Sequence, residues 1–438
     1  MTLEQRLQEA VAGSALAESL SAALARFVER RSQDAAAREL SDDAARGLAR
    51  ALATRPRAAD FLSHRPRFLE RVAALTPASL AEREQELAAD CEALSSEDLE
   101  ASLDALRLRR REEVVFAACI DLSGLATFEA VSDFLSVLAE TTTQCALRLA
   151  LESLASHSGA DGFCVIGMGK IAGREFTYHS DLDLIFLHRG GPESVDRASR
   201  IGQRLIAYLT TMTGAGIAYA VDTRLRPSGQ QGMLVTSLEG FERYQTDKAQ
   251  TWEHLAMLRA RPIAGGIAAA EAALARVRQQ IFARVEPPWE FLKGLRARVE
   301  EERAEQSEDR VALKAGAGGL MDVDFLAGGG LLELGTDAFP TYPSVRAMLE
   351  ACVEGERVQR LLQDYHLLRV VEARARWVAG RSIETLSAKD PQLPAIAELV
   401  EPGWSAAALL ERIAESRERI RRAYLAVVEA NTIRALAA

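Results

Sequence analysis

The sequence predicts a predominantly helical α+β protein, with a small domain of mixed sheet and helices set between two helical regions. Three observations carry that expectation. Residues 1–156 and 267–438 are dominated by alanine, leucine, arginine and glutamate, with apolar residues at helical spacing. Between residues 157 and 266 the pattern changes to short apolar runs, period-two alternation and clustered glycines, as strands and turns require. Within that segment, FCVIGMGKIAGREFTYHSDLDLIFLH (Phe163 to His188) reads as two strands joined by a glycine-punctuated turn. The expected organisation is an N-terminal helical region (1–156), a central domain (157–266) and a C-terminal helix bundle (267–438).

The N-terminal region breaks near Arg55-Pro56, Pro66, Thr76-Pro77 and Ser95-Ser96-Glu97-Asp98, whose Ser-x-x-Asp pattern predicts a helix cap. LRLRRR (Leu106 to Arg111) reads as a solvated helix face. In the central domain, the loop Arg189-Gly190-Gly191-Pro192 precedes a helix over about 195–211. The run Tyr219 to Arg226 then alternates as a strand, with Asp222, Arg224 and Arg226 on one face. Leu234 to Ser237 leads into a helix through Phe241 and Tyr244, and TWEHLAMLRAR predicts another, carrying Glu253, Arg259 and Arg261. In the C-terminal region Leu361, Tyr365, Leu368, Val371 and Ala375 share one helical face, and Leu409, Ile413, Ile420, Tyr424 and Val427 another. KAGAGGLMDVDFLAGGG (Lys314 to Gly330) interrupts the pattern with glycines and two aspartates, Asp322 and Asp324.

Composition narrows the function classes. With 63 acidic against 53 basic residues the net charge is −10, which argues against a general nucleic-acid binder. No apolar run is long enough to span a membrane, and the polar start MTLEQRLQEA does not read as a signal peptide, so no membrane role is expected and the cytoplasm is the expected compartment. The five cysteines form no C-x-x-C pair and read as small buried hydrophobes. Only five residues are lysine, and two of them, Lys170 and Lys314, lie in glycine-rich stretches.

The chemistry concentrates at SDLDLIF. On a strand, Asp181 and Asp183 point to one face and Leu182, Leu184 and Phe186 to the other. Two adjacent carboxylates are hard oxygen ligands suited to a magnesium ion on phosphates, and Asp222 supplies a third. Arg224, Arg226 and Lys170 would balance phosphate charge, and backbone N–H groups of Gly167, Gly169 and Gly173 would cradle phosphate oxygens. The glycine spacing fits neither a Walker A loop nor a dinucleotide fingerprint. Together these features point to metal-dependent nucleotidyl transfer. The six histidines form no ligand cluster, and His179, beside Ser180, is left without an assigned role. Lys314, Asp322 and Asp324 either face the cleft from the bundle side or form a glycine-rich turn.

GMGKIAGREFTYHSDLDLIFLH, YAVDTRLRPSGQQGMLVTSLEGFERYQ, TWEHLAMLRARP and LKAGAGGLMDVDF, in that order, closely resemble the glutamine synthetase adenylyltransferase/adenylyl-removing family. Members of that family are similar to DNA polymerase β in their nucleotidyltransferase core. The likeness extends to the helical flanks ADFLSHRPRFLERV, LRLRRREEVVF and YHLLRVVEARARW. Members usually carry two such units, one removing AMP from glutamine synthetase by phosphorolysis and one attaching it to a tyrosine, and this chain holds one. The resemblance implies metal ligands and catalytic residues at Asp181, Asp183 and Asp222, a glycine-lysine turn at Gly167, Gly169, Lys170 and Gly173, and the family's serine at Ser180. It implies ATP as substrate, Mg2+ or Mn2+ as cofactor, glutamine synthetase as protein partner and a PII signalling protein as a further candidate partner. LRPSGQQGMLVTS and TWEH look more like the adenylylating unit. The chain departs from the family pattern at Ala172 (usually glycine), Phe176 (leucine), Asp324 (often glutamate) and Gly328 (commonly glutamine). Two alternatives stand beside this expectation: a nucleotidyltransferase of the same fold with another protein or small-molecule acceptor, and a non-catalytic regulator that binds nucleotide or glutamine synthetase.

Overall fold

The computed structural model describes all residues except 1, 32–39, 155–161, 192–193, 284–287, 305–306, 308, 336–338 and 438. The expected boundary at 156–157 and Pro192 of the central loop lie outside the described residues. Proline punctuates the first region. Helices α1 (Leu3–Glu9), α2 (Ala17–Arg31) and α3 (Asp42–Thr54) precede α4 (Pro56–Ser63) and α5 (Pro66–Ala73), each of the latter two starting on a proline. Proline suits the first helical turn, where its missing N–H has no partner to lose, and it forces the residue before it out of the α region. Arg55 and Arg65 accordingly take φ values of −137° and −122°.

Two long helices follow α6 (Ser79–Glu92): α7 (Leu99–Ser123) and α8 (Phe128–Ser153). The side chain of Asp98 caps α7, so the cap lies at the end of the Ser-x-x-Asp pattern and not at its serine. Helix α3 crosses α7 at Gly47, where a Cβ would stand 2.0 Å from the Cys119 carbonyl oxygen. Leu106 to Arg111 is solvated only in part: Arg111 is exposed, Arg109 and Arg110 are half-buried and Leu106 and Arg107 are buried. Arg107 is buried and donates to the Tyr208 carbonyl oxygen, while Arg110 and Arg111 lie over the rings of Tyr219 and Phe61.

The central sheet contains β1 (Phe163–Met168), β2 (Leu182–His188), β3 (Val221–Asp222), β4 (Val235–Ser237) and β5 (Ala260–Gly265). Its order is β3-β2-β1-β5; β1 runs antiparallel to β2 and β5, while β3 and β4 pair parallel to β2. Helix α9 (Val195–Thr210) makes the crossover from β2 to β3. The period-two expectation holds for β1 and β2, whose residues sort into two layers. Phe163, Val165, Leu182, Leu184 and Phe186 join the large core shared with the helical regions. Cys164, Ile166, Ile185 and Leu187 pack with Phe241 of α10 (Leu238–Asp247), Met257 of α11 (Thr251–Met257) and Leu274 of α12 (Ile267–Phe282). Both faces of β2 are therefore covered, and Asp181 is exposed and Asp183 only half-buried because they sit at its N-terminal end.

Two elements are shorter than their sequence patterns predict. The alternating run 219–226 forms a strand only at Val221–Asp222 and then turns. TWEHLAMLRAR is helical only to Met257, and Arg261 lies on β5.

The last region holds α13 (Trp289–Arg303), α14 (Leu320–Leu334), α15 (Val345–Cys352), α16 (Glu356–Ala379), α17 (Leu393–Val400) and α18 (Ala406–Ala430), with an antiparallel pair β6 (Arg310–Ala312) and β7 (Thr385–Ser387). The predicted apolar faces of α16 and α18 are buried. The Asp322–Gly330 stretch does not break the helical pattern. It lies within α14, whose glycines 328, 329 and 330 admit Leu255, Trp289 and the pair Cys352 and Ile433 so closely that a Cβ at each would meet them at 2.3, 2.7 and 2.9 Å. No described helix is long and apolar enough to cross a membrane.

Candidate active site

The sheet register brings the predicted carboxylates together. Asp183 of β2 lies directly opposite Asp222 of β3, and Asp181 precedes β2 by one residue. Parallel pairing of two strand N-termini is what joins residues some forty positions apart. The electrostatics report the crowding: burial, followed by repulsion from Asp181 and Asp222, pushes the Asp183 carboxyl up to about 6, against the opposing pull of Lys314 and Lys170. Hydrogen bonds from Arg224 hold Asp222 below its ordinary range. Arg224 donates to Asp222 through its backbone N–H (2.8 Å) and Nε (2.7 Å) and is itself two-thirds exposed, at 68%.

The glycine turn does not offer the expected N–H cradle at Gly169 and Gly173, whose N–H groups donate to the carbonyl oxygens of Arg259 (2.8 Å) and Gly169 (3.1 Å); its glycines contribute through three other constraints. Gly169 has φ +60° and would place a Cβ 3.8 Å from Asp183 Oδ2, so this left-handed residue lies against the carboxylate. Gly167 is packed, since a Cβ there would meet Ile171 at 2.8 Å. Gly173 is packed against the Pro343 carbonyl oxygen at 2.9 Å. Arg261 clamps the turn by donating to the carbonyl oxygens of Ala172 (3.0 Å) and Ile171 (3.2 Å).

Lys170 turns away from the carboxylates to Glu372 of α16, with Nζ 2.7 Å from Oε1. Burial pulls the Lys170 ammonium down to about 7, with Glu372 opposing and Arg369 and Arg376 adding to the fall. Burial would raise Glu372, yet Lys170, Arg369 and Arg376 hold it below the ordinary carboxylate range.

Other predicted site residues take structural partners. Ser180 is buried; its Oγ accepts from the Thr177 backbone N–H (3.1 Å) and lies 3.4 Å from Arg376 Nη1, fixing the turn into β2. Arg226, past the end of β3, does not share a strand face with Asp222. It closes its own loop by donating to carbonyl oxygens of Thr223 (2.9 Å), Gln230 (3.1 Å) and Gly232 (3.3 Å). His179 Nε2 lies 2.6 Å from Arg55 Nη1, and burial with the nearby cations Arg55, Arg110 and Arg376 lowers it to about 3, which leaves it unsuited to act as a base. Glu253 caps α11 and accepts from Tyr244 at 2.7 Å.

From the bundle side, Lys314 pairs with Glu384 at 3.1 Å and lies near enough to influence Asp183. Asp322 is fully buried between Arg296 and Arg421 and accepts from the Gly318 N–H, a structural role. Asp324 bonds Arg259 at 3.1 Å. Glu175, Arg369, Glu372 and Arg376, absent from the sequence expectation, complete a charged network behind the turn: Arg259 and Arg369 bond Glu175, and Arg376 lies 3.0 Å from Glu372. The signal for it is the spacing of three charges, Arg369, Glu372 and Arg376, among the apolar residues of one helix.

The donor set fits a hard divalent cation, because three like-charged oxygen groups lie close enough to raise the proton affinity of the central one. Among the described residues no three His, Cys, Asp or Glu side chains already converge on one point, and Asp222 instead turns both oxygens to Arg224.

Comparison with known proteins gives this geometry a context. The model of the glutamate-ammonia ligase adenylyltransferase family matches residues 45–276, and that of the GlnD PII-uridylyltransferase matches residues 293–428. A bifunctional glutamine synthetase adenylyltransferase/adenylyl-removing enzyme of Thioalkalivibrio sulfidiphilus is 34% identical over 331 residues, covering 68% of this chain and 34% of its own length. Proteins of the same description from Aromatoleum aromaticum and Pseudomonas aeruginosa are 36% and 35% identical over 61% and 57% of this chain, and 29% of their own lengths. The chain spans about a third of the length of such relatives. Because the family match takes in the glycine turn and all three carboxylates and covers more than half of the residues, the chain belongs to the glutamate-ammonia ligase adenylyltransferase family.

Proposed function

We propose that this chain transfers AMP from ATP to a tyrosine of glutamine synthetase, or removes it by phosphorolysis, and so regulates nitrogen assimilation. The observation that carries the reading is the in-register pairing of Asp183 with Asp222, with Asp181 beside them and Gly169 against Asp183. Asp181, Asp183 and Asp222 would hold magnesium or manganese, which when bound neutralises phosphate charge and aligns an in-line displacement. The chain's own part is positional: the Gly169 N–H donates to the Arg259 carbonyl oxygen at 2.8 Å and so fixes the turn, and Arg224, exposed beside Asp222, is the arginine that would meet phosphate. The wording of LRPSGQQGMLVTS and TWEH favours attachment over removal. The match of residues 293–428 to a PII-uridylyltransferase supports a PII-type protein as second partner, and the cytoplasm, which holds ATP, is the compartment this reading implies.

Incubation with labelled ATP, magnesium and glutamine synthetase, and with the adenylylated acceptor and phosphate, tests both directions beside an Asp181→Ala, Asp183→Ala control. Magnesium-dependent label or release that the control lacks is expected. Absence of both, or equal activity in the control, overturns the proposal.

A further inference from the structure

Beside the carboxylates stands a group of cations that the mechanism above does not use. Arg55, at the junction of α3 and α4, Arg65, between α4 and α5, and Arg110 and Arg111 of α7 have no carboxylate within ion-pair distance among the described residues. The chain nonetheless carries 63 acidic side chains. They are held by rings instead. Arg55 lies 5.1 Å from the Trp377 ring centroid, Arg110 4.6 Å from Tyr219, and Arg111 and Arg65 lie 4.1 and 5.1 Å from Phe61. A guanidinium stacked on a ring is fixed in place while its N–H edge remains free to donate. The Nε atoms of Arg65 and Arg110 are buried with no hydrogen-bond acceptor.

Two of these cations register the others. Burial, then Arg111, Arg110 and Arg57, pulls Arg55 down to about 10, and burial, then Arg65 and Arg110, lowers Arg111, with no acid opposing either fall among the leading causes. Concentrating like charges in partly buried positions is costly unless an anion joins them. The group adjoins both metal-ligand segments. Arg55 bonds His179, two residues before Asp181, and Arg110 packs on Tyr219, three residues before Asp222.

We infer that Arg55, Arg110 and Arg111, with Arg65, form a phosphate-binding subsite supplied by the N-terminal helices, which takes either free orthophosphate or the polyphosphate tail of the nucleotide. The assignment rests on the proposed function for its relation to the carboxylates, and guanidinium groups suit it because they meet phosphate oxygens in a bidentate fork. It makes the helical region part of the substrate site.

Titration calorimetry on the full chain with inorganic phosphate, and separately with magnesium-ATP, tests it. In Arg55→Gln/Arg110→Gln, affinity is expected to fall roughly tenfold to a hundredfold per arginine. Loss for orthophosphate assigns the subsite to free phosphate; loss for ATP with orthophosphate unchanged assigns it to the nucleotide tail. Unchanged affinity for both, or no binding of either by the native chain, overturns the inference. If the double variant does not fold, Arg111→Gln, at an exposed position, carries the test with an expected fall of about tenfold. No acceptor or turnover enters the measurement, so an inactive native chain whose variants lose phosphate retains the subsite, and an active one whose variants bind normally loses it.

Discussion

Asp183 serves two opposed demands. Its burial beside Asp181 and Asp222 raises its proton affinity, so the folded chain bears the repulsion of three carboxylates that a divalent cation would relieve. Asp183→Asn is therefore expected to melt about 1–2 °C higher than the parent in chelator, and to lose roughly a hundredfold or more in the proposed magnesium-dependent AMP transfer. Calorimetry beside an activity assay checks both; a variant that melts lower in chelator would contradict the repulsion. Asp181 and Asp183 were legible because two carboxylates at period-two spacing lead into an apolar strand, and Asp222 because it lies in a second alternating run. Arg226 was expected on the strand face of Asp222 and Lys170 in the glycine turn, and neither local pattern reveals partners: one bonds its own loop and the other Glu372.

Element by element, glycine shows where sequence reading fails and why. In Lys314 to Gly330 it was read as breaking the helical pattern, yet glycines 328–330 lie inside α14, where the absent Cβ admits Leu255, Trp289 and Cys352. A glycine costs a helix about 1 kcal/mol relative to alanine, so only close packing accounts for it. Gly329→Ala is expected to destabilise by about 1–3 kcal/mol because the methyl meets the Trp289 ring, whereas Gly294→Ala in α13, with nothing within 4 Å, is expected to stabilise by about 0.5–1 kcal/mol. Urea unfolding of the two variants separates propensity from packing, and a gain at both positions would refute the packing account.

Across the molecule, a buried carboxylate is one of the ties between the glycine turn and the C-terminal bundle, beside those from Arg369 to Glu175 and from Arg259 to Asp324. Glu372 on α16 faces Lys170, Arg369 and Arg376, and removing its charge takes away the carboxylate paired with all three cations. Glu372→Gln is expected to cost about 3 kcal/mol at neutral pH. Its carboxylate is held below the ordinary value of 4.5, so it contributes stability that is fully present above that value and is lost as pH falls through the folded-state value. The parent should thus show a steeper acid-side loss of stability than Glu372→Gln, measured by denaturant titration across pH 3 to 7. Parallel acid limbs would show that the pair does not couple the two regions.

The sequence by itself determined the helical flanks, the two main strands and the aspartates that the register pairs, because periodicity and residue type are local properties. It also carried enough of the glycine-aspartate motifs to indicate the family. Tertiary structure alone decided which cations face these carboxylates and which face Glu372 or an aromatic ring, and that Asp322 is a buried ion-pair partner. The physical reason is that a charge takes its meaning from neighbours brought from distant segments, and no spacing along the chain records them.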